Sequence, residues 1–258
     1  MANHAVTCKL CDLERPLCKS HIIPKAFFRD AKASEPDRGL NMVTQERIEI
    51  GKMAGEYERL LCRDCETLVG RYDDYGIRFF RQEVGVRLGK LGDEMVPKDI
   101  DIIDEIDLTG LRIFIISVLW RASISSRPFF ANVQLGPFEH IAKQIILDKN
   151  LLTDQFPFYM TRYSEADNAK NIMFNPVPSM QEGRRFYTLN MGGFNIWVKV
   201  DGRELRDPFR YVWEVLTERG SLLVFEKKFI GSVEHSVVQR LVLSAHANSQ
   251  KQIPRSGR

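Results

Sequence analysis

The sequence predicts an α+β fold, and three observations support this. All five cysteines of the 258 residues fall in short segments within the first 65 positions. From Thr109 apolar residues recur at helical spacing, and beyond Pro157 short aromatic or β-branched runs alternate with Gly, Pro and Asn. We therefore expect a small N-terminal module, then a helical segment, then a mainly antiparallel sheet.

The elements after Thr109 follow from these patterns in chain order. Leu111, Phe114 and Val118 predict one helix, and a second helix is expected to begin near Pro137. A turn at residues 191–193 predicts a hairpin, because its two glycines accept positive φ at low cost. Residues 232–249 predict a closing amphipathic helix. Five runs predict strands: FPFYMTRY, NIMFNPV, RRFYTLNM, FNIWVKVD and LLVFEKKF.

The composition divides the chain into four stretches. Residues 1–90 hold the cysteines and predict a metal-binding module, because they contain little continuous core pattern. Residues 91–108 hold seven Asp and Glu against one Lys and predict an acidic connector. Residues 109–250 predict an α+β domain whose role no motif indicates, and residues 251–258 predict a disordered tail.

Charge and hydropathy exclude some classes of protein. The 37 Lys and Arg against 34 Asp and Glu give a net charge of +3, too small to predict nucleic-acid binding from charge alone. The longest apolar run, residues 113–120, is much shorter than the roughly 20 residues that span a bilayer. The first residues, MANHAVTC, lack the basic and apolar regions of a secretion signal, so we expect a cytoplasmic protein.

The cysteines predict a metal site. An odd number without a secretion signal argues against a disulfide framework. Two C-x2-C pairs are present, Cys8 with Cys11 and Cys62 with Cys65. Each such turn directs two thiolates toward one point, so two turns together form a tetrahedral site for structural Zn²⁺.

A second ligand set competes with the two pairs. Cys18 and His21 follow the first pair closely, and with Cys8 and Cys11 they would supply four ligands. If the LCKSHII segment is a strand, residues three apart project from opposite faces and cannot reach one ion. This favours the two pairs and leaves the second set as the alternative.

The second pair is expected to open a helix. Leu68, Tyr72, Tyr75 and Phe79 follow it as an apolar stripe at helical spacing. A cysteine turn, a strand, a loop and a second cysteine turn at a helix start form the outline of a treble clef. This outline would bring His21 and the residue after Cys65 into one neighbourhood.

These motifs carry a family resemblance. SHIIPK at residues 20–25, between C-x2-C and LLCRDCE at residues 60–66, resembles the HNH, or ββα-metal, nuclease module over about the first 80 residues. The chain is more closely similar to uncharacterised bacterial proteins that share these motifs and SVLWR, here residues 117–121. The resemblance implies an endonuclease that hydrolyses DNA and, by analogy, a role in bacterial antiviral defence.

The resemblance also implies roles for single residues. His21 lies where the family has the general base that activates the attacking water. Glu66 lies where the family has a metal-binding histidine, and its carboxylate would hold Mg²⁺ or Mn²⁺. A homodimer or a protein partner bound through residues 109–250 is a further expectation. Four basic residues beside the cysteine pairs are candidate contacts to DNA phosphates: Lys25, Arg29, Arg59 and Arg63.

Two positions depart from the family pattern and keep another function open. Ser20 replaces the Asp or His that usually coordinates the catalytic metal, and Tyr57 stands where the base-orienting Asn falls. They predict, as the alternative, a zinc-binding adaptor that has lost catalysis and binds nucleic acid or a protein partner.

Overall fold

The fold is α+β, as the sequence predicts. The computed structural model describes residues 6–34, 40–52, 55–82, 84–88, 90–91, 94–95, 97–149, 152, 154–164 and 171–251. In these residues the six α-helices are α1 (Lys25–Ser34), α2 (Arg63–Phe80), α3 (Leu108–Ser123), α4 (Phe138–Asp148), α5 (Phe209–Arg219) and α6 (Val233–Lys251). A short 3-10 turn covers Pro128–Phe130.

The strands of the described residues form one large sheet and several small ones. In chain order they are β1 (Val6–Thr7), β2 (Glu14–Arg15), β3 (Ser20–His21), β4 (Leu40–Val43), β5 (Ile48–Lys52), β6 (Tyr57–Glu58), β7 (Val86–Leu88), β8 (Lys90–Leu91), β9 (Glu94–Met95), β10 (Ile100–Asp104), β11 (Phe158–Tyr163), β12 (Ile172–Phe174), β13 (Pro178–Gln181), β14 (Arg184–Met191), β15 (Phe194–Lys199) and β16 (Leu222–Lys227).

The large sheet is mixed. Its seven strands run in the order β13-β14-β15-β11-β16-β10-β7, and only β11 and β16 pair in parallel among these neighbours. The predicted hairpin joins β14 to β15, with φ of 59° at Gly192 and 84° at Gly193. The five runs predicted as strands contain β11, β12, β14, β15 and β16.

Helix α3 lies at the centre of the core. Every residue from 110 to 122 is buried, including Arg112 and Arg121. The helix packs against α2 and α4, and its apolar residues belong to the same core cluster as Cys8, Cys62 and the inner residues of β14 and β15. The buried side chains of α3 therefore join the cysteine-bearing segments to the large sheet.

The acidic segment at residues 91–108, predicted as a connector, contributes a strand to this sheet. Its strand β10 lies between β16 and β7. Ile102 and Ile103 are both buried although acidic residues flank them, because successive strand residues face opposite sides of the sheet. The boundaries at residues 90 and 109 stay predictions.

Two further expectations concern the C-terminal tail and membrane-spanning helices. The predicted disordered tail lies outside the described residues except for Lys251, which ends α6. In the described part of the chain, no helix combines the length and the apolar character needed to cross a bilayer.

The packing of α2 on α3 gives a testable pair of substitutions. A Cβ at Gly76 would lie 2.5 Å from Phe114 Cγ, whereas a Cβ at Gly70 would have no atom within 4 Å. We expect Gly76→Ala to lower the free energy of unfolding by about 1–3 kcal/mol through overpacking. Gly70→Ala is expected to raise it by up to about 1 kcal/mol, because alanine favours helix. Urea denaturation measures both, and equal effects would contradict this packing.

Candidate functional site

The first cysteine pair is held in a tight turn beside the second. The Cys8 amide donates to the Leu13 carbonyl oxygen at 2.9 Å, which closes the turn. The Lys9 amide donates to the Leu60 carbonyl oxygen at 3.0 Å. This second bond ties the turn to the backbone just before Cys62.

The second pair lies at the start of α2. Cys62 is the N-cap residue of this helix, and Cys65 is buried in its first turn. A β-bridge joins Leu17 to Cys62, and the Cys18 amide donates to the Leu61 carbonyl oxygen at 2.7 Å. The chain after the first pair therefore runs along the backbone that enters the helix.

The four sulfurs of the two pairs form one cluster. The Sγ atoms of Cys8, Cys11, Cys62 and Cys65 all lie within 4.8 Å of one another, and the thiols are free rather than joined in disulfides. Cys18 of the alternative ligand set lies outside this cluster. The prediction that the two pairs come together is confirmed.

The geometry of the cluster fits a zinc ion. Four bonds of about 2.3 Å at tetrahedral angles place neighbouring sulfurs about 3.8 Å apart. The Sγ atoms of Cys11 and Cys62 are 3.8 Å apart. The four cysteines could therefore hold a metal ion such as zinc.

Backbone amides favour the thiolate form of Cys8. Burial acts to raise the pKa of its thiol, but hydrogen bonds from backbone groups of Cys11, Cys62 and Leu10 outweigh burial and lower the pKa to about 7. One of these bonds runs from the Cys62 amide to Cys8 Sγ at 3.3 Å. Because a thiolate is the form that binds metal, these amides favour the metal-binding form of Cys8, whereas burial and the neighbouring thiols raise the pKa of Cys65.

The predicted catalytic residues lie beside this cluster. The predicted strand over LCKSHII is short: only Ser20 and His21 form β3, which pairs with β6. The fully buried Ser20 donates its hydroxyl hydrogen to Glu66 Oε2 at 2.7 Å. Burial raises the pKa of the Glu66 carboxyl, and the Ser20 hydroxyl opposes that shift. The residue before His21 therefore contacts the residue after Cys65.

Arg121 connects α3 to the backbone of His21 and to Asp73 of α2. Its Nη1 donates to the His21 carbonyl oxygen at 2.7 Å, and its Nη1 and Nη2 form a two-point contact with the Asp73 carboxylate at 2.9 and 2.6 Å. Arg121 also donates to the Ser117 carbonyl oxygen at 3.2 Å, so both ends of the SVLWR motif take part. The motif holds the strand of His21 against α2.

Sequence reasoning missed Asp73 as a partner in this site. It lies seven residues after Glu66, which places both carboxylates on the same face of α2. That spacing is visible in the sequence, but α2 contains several other acidic residues. Only the position of Arg121 distinguishes Asp73 from them.

Tyr57 lies at the centre of a second group of side chains. It pairs with His21 across the strands, and their ring centroids are 6.0 Å apart. Lys19 Nζ lies 3.7 Å from the centroid of the Tyr57 ring, and Arg127 Cζ lies 5.6 Å from it. Two cations that sequence reasoning did not select therefore lie on Tyr57, the cross-strand partner of His21.

Glu58 holds the segment after α3 in place. Its carboxylate accepts hydrogen bonds from the Ser125 hydroxyl at 2.9 Å, the Ser126 amide at 2.9 Å and the Ser126 hydroxyl at 2.8 Å. Burial acts to raise the pKa of Glu58, but these bonds outweigh it and lower the pKa. Both carboxylate oxygens are thus used inside the protein, which argues against Glu58 as a metal ligand.

The four predicted phosphate contacts are all exposed, namely Lys25, Arg29, Arg59 and Arg63. Lys25 and Arg29 lie four residues apart on α1, and Arg63 is the first residue of α2. Arg59 Nη1 donates to the Leu17 carbonyl oxygen at 2.8 Å. This bond also ties the segment before the second cysteine pair to the segment that precedes β3. These side chains are accessible to a ligand, and Arg59 is the one with a structural contact to the backbone near β3.

No protein-family model, characterised protein or solved structure matches the chain. Its function is therefore inferred from the residues of the site.

Proposed function

We propose that the protein is an HNH-type nuclease that hydrolyses DNA phosphodiester bonds, with His21 as the general base. One observation carries this proposal. The hydrogen bond from Ser20 to Glu66 holds the strand that ends in His21 against the first turn of α2, beside the four-cysteine cluster. A cysteine turn, a strand pair and a helix with two cysteines at its start also agree with a treble clef.

The residues supply complementary chemistry. An imidazole that titrates near neutral pH can accept a proton from water as the water attacks phosphorus. A divalent cation such as Mg²⁺ or Mn²⁺, when held partly by Glu66, would stabilise the negative charge that develops on the phosphate. The Arg121 bond to the His21 carbonyl oxygen fixes the backbone that carries the imidazole. Structural zinc would hold the first cysteine turn on α2.

Cations around the site support a DNA substrate. Lys19 and Arg127 lie on the ring of Tyr57, which itself pairs with His21. Exposed Arg63 opens the helix that bears Glu66. Backbone phosphates are bound mainly by such charges, without reading the sequence. Cleavage of foreign DNA in the cytoplasm, as part of antiviral defence, is the cellular role that this proposal implies.

Cleavage of supercoiled plasmid in Mg²⁺ or Mn²⁺ tests the proposal. We expect His21→Ala and Glu66→Ala each to reduce the cleavage rate about 100-fold or more, because general-base catalysis and charge stabilisation contribute at least this much. His235→Ala, a histidine of α6, is the matched control and should retain full activity. If the wild type cleaves DNA and both variants keep its rate with zinc bound, the site assignment is wrong.

One observation favours the adaptor as the second candidate. The carboxylates near β3 already have partners in the protein: Ser20 bonds to Glu66, and two serines bond to Glu58. The adaptor becomes the better explanation if the wild type cleaves neither DNA nor RNA but binds duplex DNA, and if Arg63→Ala weakens that binding.

A further inference from the structure

A cavity of about 580 Å³ contains none of the four clustered cysteines in its wall. It is bounded by strands of the large sheet, by the start of α6, and by Thr44 and Gln45 in the turn between β4 and β5. We propose that this cavity binds an uncharged, planar molecule of the nucleobase or nucleoside class. The inference does not depend on the nuclease proposal.

The sheet places a row of amide and aromatic side chains on the wall of this cavity. Asn190 on β14 pairs with Asn195 on β15, and Thr188 pairs with Trp197. Residues that face each other across antiparallel strands point to the same side of the sheet. Asn190 and Asn195 are 3% and 1% exposed, and Asn190 Nδ2 donates to Asn195 Oδ1 at 2.8 Å. The amide pair is thus buried and fixed in orientation.

Several polar atoms of the lining residues have no partner. Within the described part of the chain, Asn190 Oδ1, Trp197 Nε1, Ser179 Oγ and Glu234 Oε2 are buried without a hydrogen bond. Burying such groups unpaired is costly, and native proteins almost always satisfy them. All four belong to residues that line this one cavity. Because these four atoms expose almost no surface, a bound molecule would reach them only after small shifts of the surrounding side chains; one that offers both donors and acceptors would then satisfy them.

The charges of the wall favour an uncharged ligand. Of the described residues that line the cavity, only Lys227 and Glu234 are charged. Lys227 Nζ lies 2.6 Å from Glu234 Oε1, so the two charges neutralise each other. A phosphate group would have to compete with Glu234 for the single lysine, and a cationic ligand would have to compete with that lysine for Glu234.

The shape and chemistry of the wall favour a flat heterocycle. Ligand cavities of about 300–1,000 Å³ are typical of small-molecule sites, and this volume falls in that range. Trp197, Phe174 and Val237 supply apolar surface next to the amide groups. A nucleobase combines apolar faces with an edge of donors and acceptors, which are the two features that this wall offers.

Calorimetry with four nucleosides tests the inference: adenosine, inosine, cytidine and uridine, each titrated into the full chain without divalent cations or DNA. We expect at least one to bind with a Kd of about 1 mM or tighter. Asn190→Leu and Ser179→Ala should each weaken its binding about 10-fold by removing a polar partner. Trp213→Phe changes a buried tryptophan outside this cavity and should leave the Kd unchanged.

The outcomes decide between the possibilities. The inference is wrong if no nucleoside binds the wild type. It is also wrong if folded Ser179→Ala and Asn190→Leu bind the nucleoside with the Kd of the wild type. Circular dichroism establishes that each variant is folded, and Ser179→Ala is the milder substitution because it removes a single oxygen atom from a residue that is only partly buried. The matching 5′-monophosphate should bind less tightly than the nucleoside. A monophosphate that binds about 10-fold more tightly would overturn the uncharged assignment.

Discussion

Purified protein should contain one zinc ion per chain, and the Cys62→Ser/Cys65→Ser variant should contain none. The four sulfurs lie close enough for one ion, and removing two of them leaves only the Cys8–Cys11 turn. Structural zinc contributes about 10–16 kcal/mol of apparent binding free energy in small modules, and that energy stabilises the fold. We therefore expect the variant, or the wild type after treatment with a strong chelator, to lose the fold of its cysteine-bearing segments.

Metal analysis by mass spectrometry and limited proteolysis measure these two effects. Cys18→Ser is the matched control: it removes a nearby thiol that lies outside the cluster and should keep its zinc. A double variant with a full zinc complement and wild-type resistance to protease would exclude the proposed ligand set. Loss of zinc in Cys18→Ser would favour the alternative set that includes Cys18 and His21.

Arg121→Met should lower the free energy of unfolding by about 3–5 kcal/mol, because the carboxylate of Asp73 would be left without its cation. Arg121 is 1% exposed and the Asp73 side chain 16%, so solvent replaces little of the lost interaction. The substitution also removes the donor to the His21 carbonyl oxygen. We expect it to reduce any cleavage activity together with stability.

A double-mutant cycle isolates the ion pair. Asp73→Asn/Arg121→Met should lose less stability than the two single changes added together, because the double variant leaves neither charge unpaired. Urea denaturation of the four proteins measures the coupling. Strictly additive losses would show that the ion pair between Arg121 and Asp73 adds nothing to the stability of the protein.

The local patterns of the sequence predicted several of the elements and selected the four cysteines that cluster. Helical spacing from Leu111 located α3, because this period follows from backbone geometry, and aromatic and β-branched runs bounded by turn residues located β14 and β15. The C-x2-C spacing was sufficient to select Cys8, Cys11, Cys62 and Cys65, since each turn is a local unit. The placement of Ser20 beside Glu66 agrees with the neighbourhood that the treble-clef outline implied.

Only the tertiary structure decided how these elements combine. Arg121 bonds to a carbonyl oxygen 100 positions earlier in the chain, and Glu58 accepts from Ser125 and Ser126, so no local pattern could identify either contact. The strand β10 joins the large sheet although its composition resembles a connector, because its burial depends on β16 and β7 lying on either side. Trp197 and Asn190 likewise line one cavity only because β14 and β15 pair in a particular register. Spacing along the chain determines what each segment forms, whereas the partners of a buried charge or amide depend on segments that only folding brings together.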